Sequence, residues 1–343
     1  MDSPLPDARA FSAELLDWYG RSKRDLPWRR TRDPYAIWIS EIMLQQTRVT
    51  AAIPYYERFL SRFPSFESLA AAGESDLLAH WAGLGYYYRA RNMQKAAQTM
   101  VRAGKFPETY EHIRELTGVG DYTAAAVASI AFGLPHAVVD GNVFRVLSRV
   151  SNDSSDILST EGKRRFASMA GALLPRDSPG EYNQALMELG ATVCLPKNPQ
   201  CLVCPVAGLC AARKEGRQHE LPVKNKPQRF AVEHRTLYWI ERGEELLVWQ
   251  RPPDSRLMPG FWELPEAEQI GTPDHCHSIG MFRHTITVHN YRFEVMSAAP
   301  PRVSGPCRWI SFAELSSLPV STIFKKAQRI VSKRTQAAVA TGA

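Results

Sequence analysis

The sequence predicts a chain in two parts, an all-helical N-terminal region followed by a smaller α+β domain. Three observations point there. Between residues 11 and 132 apolar side chains recur at spacings of three and four, beyond residue 232 they fall in short β-rich runs, and a polar, basic, proline-punctuated stretch at 211–229 separates the two patterns.

In chain order, Phe11 to Tyr19, Tyr35 to Val49, Pro54 to Phe63, Tyr88 to Val101 and Tyr122 to Phe132 carry the helical period, and Gly141 to Leu147 continue it. The predicted helical region is 1–215, the linker 216–231 and the second domain 232–343. In that domain Arg235 to Glu241 and Glu245 to Arg251 are expected to pair through a turn at Gly243, and Thr285 to Val295 to form another strand. Thr322 to Arg334 is a predicted helix with Lys325, Lys326, Arg329, Lys333 and Arg334 on its solvated face.

With 343 residues, 44% of them hydrophobic and 22% charged, the chain can bury one large core or two ordinary ones, which excludes disorder throughout. Lys plus Arg (42) exceeds Asp plus Glu (35), and the net charge of +7 favours a polyanionic partner. The small and apolar stretch from Ala124 to Val139 is broken by Ser129, Gly133, Pro135 and His136, so no membrane partner is expected. The start, Met1-Asp2-Ser3-Pro4, has neither a basic nor an apolar signal region. A soluble, cytoplasmic protein in a reducing compartment is the expectation, which argues against disulfides as the use of its six cysteines.

Four of those cysteines, Cys194, Cys201, Cys204 and Cys210, follow the pattern C-x6-C-x2-C-x5-C. Four thiolates so close can hold zinc or a [4Fe–4S] cluster, and because only Cys201 and Cys204 form a CxxC knuckle, the spacing favours iron–sulfur. A second motif, Gly118-Val119-Gly120, leads into an apolar helix, where backbone amides at the helix N-terminus suit a phosphate. Glu41 lies within the apolar run Ile37 to Leu44, where desolvation raises a carboxyl pKa and fits it for general-acid work. Asp140 precedes the helical pattern at 141–147; as an N-cap it is expected to stay ionised, with a lowered pKa opposed to that of Glu41.

Together with Leu26-Pro27-Trp28-Arg29, Ser40 to Thr47, Gly83-Leu84-Gly85-Tyr86-Tyr87 and Val139-Asp140-Gly141-Asn142, these motifs resemble the adenine DNA glycosylases of the MutY type across residues 8 to 215. The resemblance implies a helix-hairpin-helix catalytic region with a [4Fe–4S] loop, joined to a Nudix-like domain. It implies a monomeric enzyme whose substrate is double-stranded DNA with adenine mispaired with 8-oxoguanine or guanine. It makes Glu41 the acid that protonates adenine N7 and activates water, and Asp140 the carboxylate that stabilises or transiently bonds the oxocarbenium sugar. Tyr122 and Asn142 would flank the reacting sugar, Gln184 would face the flipped adenine, Trp28, Arg29 and Leu44 would line its pocket, and Gln46 and Tyr86 would wedge into the duplex.

Lyase relatives resembling endonuclease III carry a lysine after the glycine hairpin, where this chain has Tyr122, a phenol that cannot form an imine. A monofunctional hydrolase is therefore expected, in preference to a lyase acting on oxidised pyrimidines or a non-catalytic DNA-binding protein. Gly260 and Glu266 match only the opening of a Nudix signature, and Asp274 to Ile279 replace its metal-binding carboxylates, which implies a lesion-reading module. Within that module Ile286-Thr287-Val288 replaces the family's Phe-Ser-His, and Thr287 keeps the hydroxyl where serine is expected.

Overall fold

The helix from Pro34 to Leu44 combines a capped start with an apolar middle. Asp33 accepts from the backbone amides of Tyr35 and Ala36 with Pro34 in the first turn, and every residue from Tyr35 to Met43 is buried. The computed structural model describes residues 5–225, 232–252, 254–255, 258–286, 289–301, 306–316 and 318–341. Contacts divide the chain into two units, Met1–Asn225 and Lys226–Ala343.

The first unit consists of α1 (Ala8–Ser22), α2 (Pro34–Leu44), α3 (Val49–Arg62), α4 (Phe66–Ala70), α5 (Glu74–Trp81), α6 (Tyr88–Ala103), α7 (Tyr110–Arg114), α8 (Asp121–Phe132), α9 (Gly141–Val150), α10 (Thr160–Leu173), α11 (Pro179–Thr192) and α12 (Ala211–Lys214), with 3-10 turns at Pro27–Arg29 and Ala207–Leu209. Two large apolar clusters hold it, with a small one of Ala125, Ala126 and Val138 beside them. One gathers Trp38, Ile39, Phe59, Phe63 and Trp81 around α2, and the other Phe11, Leu15, Phe166, Tyr182 and Leu189 around α1, α10 and α11. Helix α8 is buried from Thr123 to Ser129 and packs against both α2 and α11, so it bridges the two clusters. Close approach matters here: a Cβ on Gly180 would come within 2.5 Å of the Ser129 carbonyl oxygen of α8, and one on Gly190 within 2.6 Å of Asn142 Cβ of α9.

Two sequence expectations are corrected. The second helix ends at Leu44 and does not run to Val49, because Gln46 has φ of 60°, outside the right-handed helix. Pro54 does not open the third helix but lies inside it; the chain already turns at Val49, where the Ala51 and Ala52 amides reach the Arg48 carbonyl at 3.0 Å.

The second unit contains β1 (Glu233–Trp239), β2 (Glu241–Arg242), β3 (Glu245–Gln250), β4 (Trp262–Glu263), α13 (Ala267–Ile270), β5 (His277–Ile286), β6 (His289–Ser297), β7 (Cys307–Ser311), α14 (Phe312–Leu315) and α15 (Thr322–Thr341). One sheet has the order β1-β6-β5, and in the other β3 pairs with β2, β4 and β7. The expected hairpin through Gly243 is reduced to β2 and β3, since β1 pairs in parallel with β6 instead. The single strand expected from Thr285 to Val295 is two antiparallel strands, and Thr287 and Val288 lie outside the described residues. Helix α15 packs its apolar side, Ile323, Phe324 and Ala327, into the core with Leu237, Phe293 and Val295. Among the described residues no helix is long and apolar enough to cross a membrane.

Candidate active site

Helices α7 and α8 are joined by a hairpin in which Gly118 has φ of 82°, a left-handed conformation that also leaves no room for a side chain, since a Cβ would lie 2.8 Å from Asn92 Cβ. The Val119 amide bonds the Leu116 carbonyl at 3.0 Å, and Gly120 caps α8 without a side chain, leaving first-turn amides for an anion. The same first turn of α8 carries Tyr122 toward the interior.

Tyr122 enters a cavity of about 230 Å³ between the two apolar clusters, lined also by Trp28, Arg29, Glu41, Leu44, Asp140, Asn142 and Gln184. Residues scattered over most of the unit thus meet in one place, with Gln46, Tyr86 and the glycine hairpin outside it. Glu41 is only 5% exposed and its Oε2 has no hydrogen-bond partner. Burial pushes its pKa up to about 7; the Tyr122 hydroxyl and Arg29 oppose this, and Asp140 adds to it. The carboxyl is therefore poised to carry a proton near neutrality.

Asp140 caps α9 as expected, accepting from the Asn142 amide at 2.9 Å and the Val143 amide at 2.7 Å, while Asn142 Nδ2 donates to its other oxygen at 2.9 Å. The expected lowering of its pKa is not observed. Desolvation outweighs the three hydrogen bonds and the attraction of Arg145, so Asp140 is raised as well. What separates it from Glu41 is that its carboxylate is fully hydrogen-bonded, whereas Glu41 keeps an unpartnered oxygen.

Arg145 fixes Asn142 in turn, donating to Asn142 Oδ1 and to the Gly190 carbonyl at 2.8 Å each, and to the Cys194 carbonyl at 2.7 Å. One turn on, Arg149 donates to the Leu195 carbonyl at 2.8 Å and to Cys194 Sγ at 3.2 Å. Sequence reading missed both arginines, although their i, i+4 spacing on a helix places them on one face. It also missed Glu188, which lines the cavity. The Glu188 carboxylate accepts from Arg24 Nε and Nη2 at 2.7 Å and from Arg29 Nη2 at 2.8 Å, and these partners, overcoming burial, bring its pKa down to about 2. Its signal was the period of α11, on which Gln184, Met187, Glu188 and Ala191 share the cavity face.

Gln46 and Tyr86 lie on neighbouring surface loops, and Tyr86 is 51% exposed with φ of 49°. Buried Arg89 joins the loops: Nη1 donates to the carbonyls of Ile42 at 2.9 Å and Gln45 at 2.6 Å, and Nη2 to those of Leu84 at 3.1 Å and Gly85 at 3.3 Å. Its guanidinium also lies 5.5 Å from the Tyr86 ring centre.

Cys194, Cys201, Cys204 and Cys210 line a second cavity, against Arg149 and Val206. Burial and the other thiols push Cys204 up to about 12, so thiolates there require a positively charged group among them. Four thiols gathered on one cavity are the donor set that a [4Fe–4S] cluster takes.

A helix–hairpin–helix with uncapped amides at the start of its second helix, beside a buried acid and a capped carboxylate, is the arrangement of a base-excision protein. Residues 39–188 match the HhH-GPD superfamily of base excision DNA repair proteins and residues 194–210 the iron-sulfur binding domain of endonuclease III. The chain is 33% identical to the adenine DNA glycosylase of Mus musculus over 97% of its own length and 80% of that protein's. With the adenine DNA glycosylase of Buchnera aphidicola subsp. Acyrthosiphon pisum (strain APS) it shares 35% identity over 70% of its own length and 72% of the relative's. It belongs to the adenine DNA glycosylases, hydrolases of N-glycosyl bonds, and carries a [4Fe–4S] cluster. A solved thermostable thymine-DNA glycosylase, 29% identical, aligns with a TM-score of 0.56 over 61% of this chain and 97% of its own.

Proposed function

We propose that the protein excises adenine mispaired with 8-oxoguanine or guanine in duplex DNA, leaving an abasic site in an uncut strand. The observation that carries this is the unpartnered Oε2 of Glu41 in a cavity shared with a fully hydrogen-bonded Asp140. A flipped adenine in that cavity meets a protonated Glu41 at N7. Proton transfer there weakens the C1′–N9 bond, and the bond breaks toward an oxocarbenium sugar. Asp140, held by two backbone amides and Asn142, faces that positive charge as a carboxylate and stabilises or briefly bonds it. Glu41, now ionised, takes a proton from the water that attacks C1′.

Trp28 and Leu44 supply the apolar walls, Gln184 an amide for the base edge, and Arg29, clamped by Glu188, a fixed positive charge. Gly118, Val119 and Gly120 hold a backbone phosphate, and Gln46 and Tyr86 fill the gap the base leaves. No lysine lines the cavity among the described residues, so no imine-forming nucleophile meets the sugar. The second unit, the Nudix-like part, reads the base opposite adenine with Thr287. The protein acts as a monomer.

Single-turnover excision on duplexes with adenine opposite 8-oxoguanine, guanine or thymine, with and without alkali, tests this directly. Strand breaks are expected only after alkali and only at adenine opposite 8-oxoguanine or guanine; breaks without alkali would establish a lyase.

The four cysteines hold the cluster, which orders the 194–210 loop. Cys201→Ser is expected to lose most of the cluster's visible absorbance and its iron, measured on the purified protein. Full retention of both removes Cys201 from the ligand set.

A further inference from the structure

The register of the β1-β6-β5 sheet puts three basic side chains in one row. Arg283 of β5 lies directly opposite Arg292 of β6, and Arg292 in turn lies beside His234 of β1. Strand alternation decides which way they point. Phe282 and Phe293, which adjoin the two arginines in sequence, and Leu237, an odd number of residues along β1 from His234, face the core, so Arg283, Arg292 and His234 project from the opposite face. Arg283 and His234 are exposed and Arg292 is half-buried.

Like charges directly opposite each other on a pair of strands oppose folding. Nothing nearby relieves this pair: neither arginine makes an ion pair among the described residues, and Glu294, one row along opposite Met281, bonds neither. The row on the other side pairs Thr285 with Asn290, where the Thr285 hydroxyl donates to Asn290 Oδ1 at 2.9 Å and leaves the Asn290 amide nitrogen as a further donor. Met281 stands 61% exposed on the same face. Two uncompensated guanidinium groups and an amide, side by side on a rigid surface, suit successive phosphates of a polyanion. A chain of net charge +7 that works on DNA supplies the polyanion's identity.

We infer that the outer face of the β1-β6-β5 sheet, centred on Arg283 and Arg292, is a contact surface for the sugar–phosphate backbone of duplex DNA. The inference rests on the reading that the second unit engages the duplex, and extends it from the bases to the backbone. The interaction is independent of sequence and lesion, so it strengthens binding to damaged and undamaged duplex alike.

The test uses the full chain and two duplexes: one with non-hydrolysable 2′-fluoro-deoxyadenosine opposite 8-oxoguanine, and one undamaged. For the double variant Arg283→Gln/Arg292→Gln, the slope of log affinity against log salt is expected to fall by about 2, roughly 1 for each phosphate left unneutralised, equally on both duplexes. Single-turnover excision at saturating enzyme is expected to stay unchanged. Arg292→Glu, which sets a carboxylate opposite Arg283, is expected to raise the melting temperature while weakening DNA binding. This opposed pair of shifts is not what a merely misfolded variant gives. Unchanged slopes on both duplexes overturn the inference, as does Arg292→Glu binding DNA as well as the parent. Failure of the mispair reading would show separately, as absent adenine excision by the parent protein.

Discussion

Replacing Glu41 by glutamine is expected to abolish adenine excision and, at pH 8, to make the protein more stable. The rate loss follows from removing the carboxyl that keeps a free oxygen in the cavity, and is expected to be about a thousandfold or more in single-turnover excision. The gain in stability follows from linkage. Burial raises the folded-state pKa of Glu41 from 4.5 to about 7, so the neutral carboxyl is tolerated but its ionised form is not. The group's favourable contribution is whole below about pH 4.5 and is lost as pH rises through about 7. By pH 8 the parent has forfeited on the order of 3 kcal/mol that a neutral amide keeps. Chemical denaturation of the two proteins at pH 4 and pH 8 checks this: the difference is expected at pH 8 and not at pH 4. The same ionisation shapes catalysis, with excision by the parent falling about tenfold per pH unit above about pH 7. A pH-independent rate from 6 to 9 would remove Glu41 from the role of acid.

Asp140→Asn is the second large effect, and here rate and fold separate differently. Asparagine caps helices as well as aspartate does, so the Asn142 and Val143 amides keep an acceptor and α9 keeps its start. What disappears is the negative charge, together with the bond from Asn142 Nδ2, which would then meet another amide nitrogen. Excision is expected to fall by about a thousandfold or more, with stability changed by no more than about 2 kcal/mol and affinity for duplex carrying 2′-fluoro-deoxyadenosine nearly unchanged. Single-turnover kinetics and a binding titration on the same preparation measure both. A variant within tenfold of the parent rate would show that charge at Asp140 is not part of the reaction.

Local chemistry made some of this site legible and distance hid the rest. Glu41 could be read because an acid inside Ile37 to Leu44 has apolar neighbours on every side of its helix, and such a helix is buried all round. Gly118 could be read because a tight turn into a helix demands its left-handed backbone. Glu188 could not, since the arginines that hold it ionised stand 164 and 159 residues earlier in the chain. Asp140 was read for its cap but not for its burial, which depends on helices that no local pattern brings together. In the second unit the alternation of β1 was visible, yet its parallel partner β6 was not, because parallel pairing leaves no turn between the strands to announce it.

The guanidinium of Arg89 gives the two surface loops a mechanical character. Gln46 and Tyr86 both hold a backbone twist that non-glycine residues seldom adopt, at φ of 60° and 49°, and both loops are tied to the same buried cation. Their shape is therefore set before any DNA arrives, and little ordering remains to be done on contact. If the loops press on the duplex as the proposed function has it, they would do so as a stiff tooth against each step. Sound base pairs would resist it and ill-matched ones yield to it, so the weakness of a mispair would be the first thing felt.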